Sequence, residues 1–377
     1  MKRLVACAVV AMFGACTGGG SDDGDGGLAD AGGGAGGAGG GGGELGPCEA
    51  PAGARVLMDF QDYRLDPTDV LQDSVARGLV ADGTDVYIAF LNSAVRLRQA
   101  GSAPTVVYTA QPDSLGLSIW PRDGGGALIR DGALTVDGTG APVAYPSAEH
   151  PADGLDGPAA EVVAPDGNRY VQFLALDDQF QAVGSHFVRL TPGAASQAVV
   201  ALNVDGAARR QVVFGAGALY SNGNLVNSEA PDPDLPVRVD PGAGGVHTIP
   251  VDKPGPVFLV TDHFIYYNRD KNAPLEELGV WRVPVAGGTG EKLGGTFGGF
   301  TGATDGQGMV VLTNAKTLFA IADTAGASLA KIADLPVRSV IDAACTAQGL
   351  AVAGGEVVST IFDQARNQTL VFKYTLP

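Results

Sequence analysis

Chemistry in this chain would have to come mainly from carboxylates, because the other reactive side chains are scarce. The 377 residues include 41 Asp and Glu but only four Cys and four His. The histidines, at His150, His186, His247 and His263, show no spacing typical of a metal site. No Gly-x-Ser-x-Gly, phosphate-binding-loop or His-Glu-x-x-His motif occurs. Paired acids can hydrolyse a glycosidic bond without forming a linear motif, so the sequence leaves an enzyme and a binding protein both open.

One short segment alternates oxygen ligands as a calcium-binding loop does at its start. Asn268, Asp270 and Asn272 occupy alternate positions, but Ala273 stands where such a loop requires glycine. An earlier acidic run at 22–26 lacks the spaced ligands and the final Glu of a calcium loop. We therefore predict no cofactor and no metal site, with a calcium ion as the one alternative.

Cys16 stands at the boundary between an apolar run and a glycine–aspartate tract. Lys2 and Arg3 precede ten apolar residues, 4–13, which is the pattern of a secretory signal and is too short for a membrane-spanning helix. The sequence Phe-Gly-Ala-Cys at 13–16 resembles the lipobox of bacterial lipoproteins, although that family usually has Leu where Phe stands here. In that family the lipobox cysteine is acylated and becomes the mature N-terminus.

This resemblance implies a signal peptide over residues 1–15 and a multiply acylated Cys16, since several acyl chains are needed for a stable anchor. Thr17, rather than Asp, follows the cysteine, which in this family favours the outer membrane. We therefore expect an exported protein, lipid-anchored to the bacterial outer membrane or the cell surface. An alternative lipobox at Cys7 fits the consensus better but has only three apolar residues, 4–6, before it.

Residues 16–47 are predicted to form a disordered tether. Seventeen of the 31 residues from 17 to 47 are glycine, and such a tract cannot bury enough apolar surface to offset its ordering entropy. Loss of the signal removes Lys2 and Arg3 and moves the formal charge from −17 to −19. This charge argues against nucleic acid as a partner and against flat contact with anionic lipid, so the lipid is the expected membrane contact.

Two cysteines remain once Cys7 leaves with the signal and Cys16 carries lipid. An exported, oxidising setting favours a disulfide between Cys48 and Cys345. Two buried free thiols are the alternative.

The remaining residues, 48–377, repeat a strand, a turn and a second strand seven times, with turns 41 to 49 residues apart. A second hairpin follows, and in four repeats it begins with an apolar–Arg–apolar strand. Two hairpins per repeat are typical of one blade of a propeller, and seven copies favour that fold over chance hairpins in a β-sandwich. The predicted turn positions are Asp82, Asp123, Asp166, Gly215, Asp262, Asp305 and Thr346, and the four arginines are Arg96, Arg189, Arg238 and Arg282.

This pattern resembles the seven-bladed propellers of secreted bacterial proteins, in particular repeats that end like WRVPVAGG at 281–288. We therefore predict an all-β fold: a seven-bladed β-propeller of four-stranded antiparallel blades behind the glycine-rich tether, with seven blades or one more or fewer. An extra strand at 54–60 is expected to complete the last blade. We expect the four arginines to brace hairpins or lie on blade surfaces, and the protein to be a monomer.

Three connections between second and third strands are long and should project from one face of neighbouring blades. They are residues 176–185, 221–236 and 268–279 in blades three to five. Insertions on one face of a repeat protein often mark a binding face, although neutral loop growth is the alternative. We predict an acidic rim that attracts a cationic partner or a divalent ion. Its residues are Asp177, Asp178, Glu229, Asp232, Asp234, Arg269, Asp270, Lys271, Glu276 and Glu277.

The predicted function is a membrane-anchored binding or scaffolding module for an unidentified protein or ligand. The alternative is a propeller-type hydrolase or lyase acting on a polysaccharide or envelope polymer. A purely structural envelope component is a third hypothesis.

Overall fold

The structure is a computed structural model, and it describes most of the chain after residue 47. The predicted signal, Cys16 and the tether lie outside the described residues. The described ranges are 48–59, 76–98, 104–112, 114, 116–152, 158–176, 182–205, 212–221, 235–242, 245–269, 273–295, 300–314, 316–337, 345–366 and 368–376.

Within these ranges the chain forms seven antiparallel sheets arranged in a ring, and no α-helix. The first strand, β1 (Arg55–Asp59), belongs to the last blade. Blade one contains β2 (Gly78–Ala81), β3 (Asp85–Ala89), β4 (Ser93–Arg98) and β5 (Thr105–Thr109), and blade two contains β6 (Leu117–Pro121), β7 (Ala127–Asp131) and β8 (Leu134–Asp137). Blade three contains β9 (Ala160–Val163), β10 (Arg169–Leu176), β11 (Ala182–Leu190) and β12 (Ala198–Asp205), and blade four contains β13 (Val212–Gly215), β14 (Ala218–Ser221), β15 (Val237–Val239) and β16 (Val246–Thr248). Blade five contains β17 (Val257–Val260), β18 (Phe264–Arg269), β19 (Gly279–Pro284) and β20 (Glu291–Gly294), and blade six contains β21 (Thr301–Thr304), β22 (Met309–Thr313), β23 (Thr317–Ala322) and β24 (Ala330–Asp334). Blade seven contains β25 (Cys345–Ala353), β26 (Glu356–Asp363), β27 (Gln368–Thr375) and β1.

Strands alternate in direction, so each blade has two kinds of loop end. The turns inside its two hairpins lie on one face of the ring, which we call the turn face. The connections between second and third strands, and between blades, lie on the opposite face, which we call the connection face. The seven-bladed prediction is confirmed, and so is the extra strand, which pairs with β27 as the outermost strand of blade seven.

Asp-Gly turns recur on the turn face because the Asp side chain can replace backbone hydrogen-bond acceptors in a tight turn. Asp82 Oδ1 accepts the backbone N–H groups of Thr84 and Asp85, at 2.9 and 2.7 Å. Gly83, at φ +90°, adopts a left-handed conformation that a side chain would strain. Asp166 and Asp305 accept backbone N–H groups in the same way two residues further along.

Neighbouring blades bury their core between them. Val358 and Val371 of blade seven pack in one buried cluster with Val86 and Ile88 of blade one. Glycine permits the closest approach of the innermost strands: a Cβ on Gly349 would lie 2.9 Å from Leu79 Cβ. A blade is therefore stabilised by its neighbours rather than by its own sheet alone.

Three details differ from the prediction. The predicted turn position Thr346 lies inside β25, and the turn of blade seven falls at Gly354 and Gly355, where both residues have positive φ. In blade two the fourth strand is reduced to one bridge between Val136 and Pro142. In blade three much of 176–185 is strand, because β11 already begins at Ala182.

The ring closes at a disulfide. Cys48 is bonded to Cys345 with their Cα atoms 5.9 Å apart, and the Cys48 backbone N–H donates to Asp363 Oδ2 at 2.8 Å. The predicted pairing is thus present. It connects the segment before β1 to the first residue of β25, the inner strand of the same blade.

We expect the double substitution Cys48→Ser and Cys345→Ser to lower the free energy of unfolding by up to about 5 kcal/mol. The bond closes a loop with a sequence separation of 297, and long loops lose the most entropy when they are cross-linked. Urea denaturation of the variant and the parent protein measures the loss. Two alkylatable thiols in the mature parent protein, found by peptide mapping without reductant, would contradict the bond.

Candidate functional site

The described part of the predicted rim is the corner of blade five. Arg269, Glu276 and Glu277 are described, and Arg269 is the last residue of β18. The other predicted rim residues lie outside the described residues: Asp177, Asp178, Glu229, Asp232, Asp234, Asp270 and Lys271.

Four side chains on this part of blade five contact one another, and we call them the Glu277 cluster: Lys253, Arg269, Glu277 and Trp281. Glu277 Oε2 lies 2.6 Å from Arg269 Nη2, and its Oε1 lies 2.8 Å from Lys253 Nζ. The hydrogen bond from Lys253 and the charge of Arg269 hold the pKa of Glu277 below its usual range. Both cations also lie over the Trp281 ring, at 5.3 and 5.9 Å from its centroid, where they are attracted to its π face.

Sequence reasoning missed Lys253 and Trp281. Lys253 lies in the connection between blades four and five, which emerges on the same face as the β18–β19 connection. Because connections between blades and connections between second and third strands lie on the same face, the sequence could have indicated that Lys253 lies near Glu277. The consequence is electrostatic: Glu277 is neutralised by two cations and adds little to a negative field.

The Glu277 cluster supports a short exposed turn. Residues Leu275–Glu277 form one turn of 3₁₀ helix, and Trp281 Nε1 donates to the Glu277 carbonyl at 2.7 Å. Lys292 Nζ donates to the Glu276 carbonyl at 2.7 Å. With its backbone held at two points, the turn leaves the Leu275 side chain 76% exposed.

Asn268, the first residue of the calcium hypothesis, is used in packing. Its side-chain amide donates to the Phe300 carbonyl at 2.9 Å, and its Oδ1 accepts the Phe300 N–H at 3.1 Å. It thereby joins blade five to the start of blade six. Across the described ranges, no group of three or more His, Cys, Asp or Glu side chains is arranged to hold a metal ion.

The histidines are also held in structural contacts. His150 contacts the carbonyls of Leu174 and Ala152 through its two ring nitrogens, and its ring lies edge-on to His186 at 5.2 Å. Burial, followed by the nearby His150, lowers the pKa of His186. His247 lies 3.3 Å from an Asp240 carboxylate oxygen.

The four motif arginines join the two hairpins of their blades. Each faces a tyrosine directly across the pair of second and third strands. Burial raises the pKa of every one of these tyrosines, and the facing arginine opposes that rise. The pairs are Tyr87–Arg96, Tyr170–Arg189, Tyr220–Arg238 and Tyr266–Arg282.

The Tyr266–Arg282 pair lies at the interface of blades five and six, where both side chains reach blade six. The Arg282 side chain is fully buried, and its Nε lies 2.8 Å from Glu291 Oε2. Its guanidinium reaches the carbonyl of Ala327 in blade six at 3.2 Å and lies 4.4 Å from the centroid of the Phe264 ring. Tyr266 donates to the buried Asp323 of blade six at 3.0 Å.

Asp323 also accepts Thr261 Oγ1 at 2.9 Å and lies 3.0 Å from His263 Nδ1. The Asp323 carboxylate of blade six therefore contacts three side chains of blade five, those of Thr261, His263 and Tyr266. This cluster resembles a catalytic set in residue types, but its geometry is that of an inter-blade clamp.

Among the described residues, no helix is long and apolar enough to span a membrane.

No protein-family model matches this chain, and no curated protein matches it. Among solved structures, the WD40 propeller domain of Doa1 is 15% identical, with a TM-score of 0.48, over 85% of this chain and 96% of that one. A chain of the mitotic checkpoint complex is 10% identical, with a TM-score of 0.46, over 89% and 97%. TolB from Acinetobacter baumannii is 14% identical, with a TM-score of 0.39, over 78% of this chain and 64% of that one. The propeller fold follows from the seven sheets themselves rather than from these likenesses.

Arg282→Met should lower the free energy of unfolding by about 3 kcal/mol, since it strips a buried guanidinium from carbonyl and carboxylate partners. Arg96→Met is the matched control, because Arg96 occupies the same place in blade one. Its ion pair to Asp85 is 3.9 Å long and partly exposed, so the expected loss is under about 1 kcal/mol. Urea denaturation measures both, and equal losses would contradict the assignment of Arg282 as a clamp.

Proposed function

We propose that this protein is an exported, membrane-anchored binding or scaffolding module whose partner docks on the connection face of blades three to five. The observation that supports this is the Glu277 cluster. A connection that had merely tolerated insertion would need no ion pairs or tryptophan contacts beneath it. Here a rigid base presents Leu275 and Glu276 to solvent, as binding loops on rigid scaffolds do.

The partner chemistry that we propose is cationic, either a protein surface or a divalent ion. Because two cations offset the charge of Glu277, a negative field would come from Glu276 and from the other carboxylates that the sequence places on the three long connections. Those carboxylates are Asp177, Asp178, Glu229, Asp232, Asp234 and Asp270. Such a field is screened over about 8 Å in physiological salt.

The hydrolase or lyase alternative needs a carboxylic acid that stays protonated, and so a raised pKa. Where the pKa of a described carboxylate departs from its ordinary value, it is lowered. For Asp82, Asp131 and Asp137, burial raises the pKa, but hydrogen bonds to the ionised carboxylate outweigh it. For Glu277 and Asp334, the largest cause of the lowered pKa is a hydrogen bond from a lysine. These acids suit binding and bracing better than proton donation.

A photo-crosslinking amino acid at position 275 in cells should give a discrete adduct with the docked partner. The adduct should weaken as salt is raised, because the proposed attraction is between exposed charges. The matched control is position 307, an exposed site on the turn face of blade six. Equal adducts at both positions, or none at 275, would contradict a partner site on this rim.

The anchor has its own test. Cys16→Ser should release the protein from the membrane fraction, because the proposed acylated residue is lost. Cys7→Ser serves as the control and should leave the protein in the membrane fraction. Retention of the Cys16→Ser protein would show that Cys16 is not the anchor, whatever the rim binds.

A further inference from the structure

We propose a second binding site, a cleft on the turn face between blades one and two, that takes a neutral hydroxyl-rich ligand such as one or two sugar units. The cleft has a volume of about 430 Å³, which lies within the range of small-molecule sites. It faces away from the rim, so this proposal stands apart from the proposed function. Its polar lining includes Asp82, Thr84, Tyr87, Arg122, Asp137 and Thr139.

Glycines create the space. The loop after β6 holds Gly124, Gly125 and Gly126 in succession, all with φ between +80° and +94°. A Cβ on Gly124 would meet no atom within 4 Å, and one on Gly125 would meet only Asp82 Oδ2. The backbone of blade two therefore curves around open space. It is tied to blade one where the Gly126 N–H donates to Asp82 Oδ2 at 2.8 Å.

The equivalent space at blades five and six is filled. There Phe264, which begins β18, lies beneath the Arg282 guanidinium, and the arginine extends into blade six. The same register position in blade one is Asp85, since Asp85 faces Arg98 as Phe264 faces Pro284. Asp85 attracts Arg96 from within its own blade at 3.9 Å. The acid at this position in blade one, where blade five has an aromatic ring, thus goes with an arginine that stays within its own blade.

Blade one therefore differs from blade five at the same interface, and local differences of this kind between repeats are where function is expected. The differences are the acid at 85, the glycine run in the facing turn, and a Tyr87 hydroxyl that reaches the cleft rather than an inter-blade carboxylate. Tyr87 is nevertheless firmly placed, because Gly138 packs directly against its ring.

The charges decide the class of ligand. Asp82 and Asp137 accept hydrogen bonds through Oδ1 from their own turns. Asp82 Oδ2 accepts one N–H, from Gly126, and Asp137 Oδ2 has only the distant Arg122 beside it, so each Oδ2 retains acceptor capacity for a ligand. Arg122 Nη1 lies 3.7 Å from Asp137 Oδ2, which is a weak ion pair, and the Arg122 side chain is 44% exposed. An anion would be repelled by the two carboxylates, and an ammonium ion would be repelled by Arg122. A neutral ligand with adjacent hydroxyls can donate to the carboxylates and accept from the guanidinium.

Saturation-transfer NMR on the full-length mature protein, in a detergent without a sugar headgroup, tests this site. The probes are glucose, galactose, mannose, N-acetylglucosamine and their β-1,4-linked disaccharides. We expect saturable binding of at least one, weakened about tenfold by Arg122→Ala, which removes a charge-assisted hydrogen bond. Tyr87→Phe should also weaken it, and Tyr220→Phe, the same pair position in blade four, should not.

Inorganic phosphate and tetramethylammonium are the charged comparison probes. Binding of either in place of the sugars would overturn the assignment of ligand class. No saturable binding by any saccharide, or binding that Arg122→Ala and Tyr87→Phe leave unchanged, would overturn the site. Thermal melting of each variant checks that the propeller is intact, and Arg122 is exposed enough that its removal should not unfold the protein.

Discussion

The pairing of β1 with β27 holds the two ends of the described chain in a single sheet, and the packing of every blade depends on it. A blade presents an apolar face on each side, and each face is covered only by a neighbour. Leu57 of β1 packs against the cluster that joins Val358 in blade seven to Val86 in blade one, so loss of this strand would weaken that seam. The disulfide adds a covalent connection within blade seven, from the segment before β1 to the inner strand, on the side that packs against blade six. Ring closure is thus secured at both edges of one sheet.

Within the closed ring, one repeated interaction has been adapted to different ends. The tyrosine–arginine pair recurs in blades one, three, four and five, yet its surroundings differ. At blade five the arginine is buried and bridges to the next blade, while at blade one an acid keeps it in its own sheet. The pair is therefore a bracing unit whose neighbours decide whether an interface is sealed or open. The proposed cleft lies at an interface that this pair leaves open.

Local patterns in the sequence predicted the blades because each is encoded over a few residues. Asp-Gly turns, alternating apolar strands and the extra strand at 54–60 need no knowledge of distant contacts, and the structure places them as expected. Thr346 was misassigned because the degenerate repeat around it lacks an Asp-Gly pair, and the true turn is formed by Gly354 and Gly355. The Cys48–Cys345 bond was predicted from the number of cysteines and the expected compartment rather than from spacing.

Contacts between repeats were beyond the sequence. Arg96 and Arg282 occupy the same motif, and only the residue opposite each, together with the loop of the next blade, separates their roles. Lys253 was missed because it is 24 residues from Glu277 along the chain yet binds it at 2.8 Å. The rim was predicted from loop length, which marks a face but cannot say which charges remain unpaired there.

The two proposed sites differ in their relation to the disulfide. Cys48 is bonded to Cys345, the first residue of β25, and its N–H donates to Asp363 at the end of β26. Both positions lie on the connection face, which is the face of the rim. The cleft between blades one and two opens on the turn face. The rim therefore lies on the same face as the disulfide, and a ligand in the cleft would not meet a partner bound at the rim.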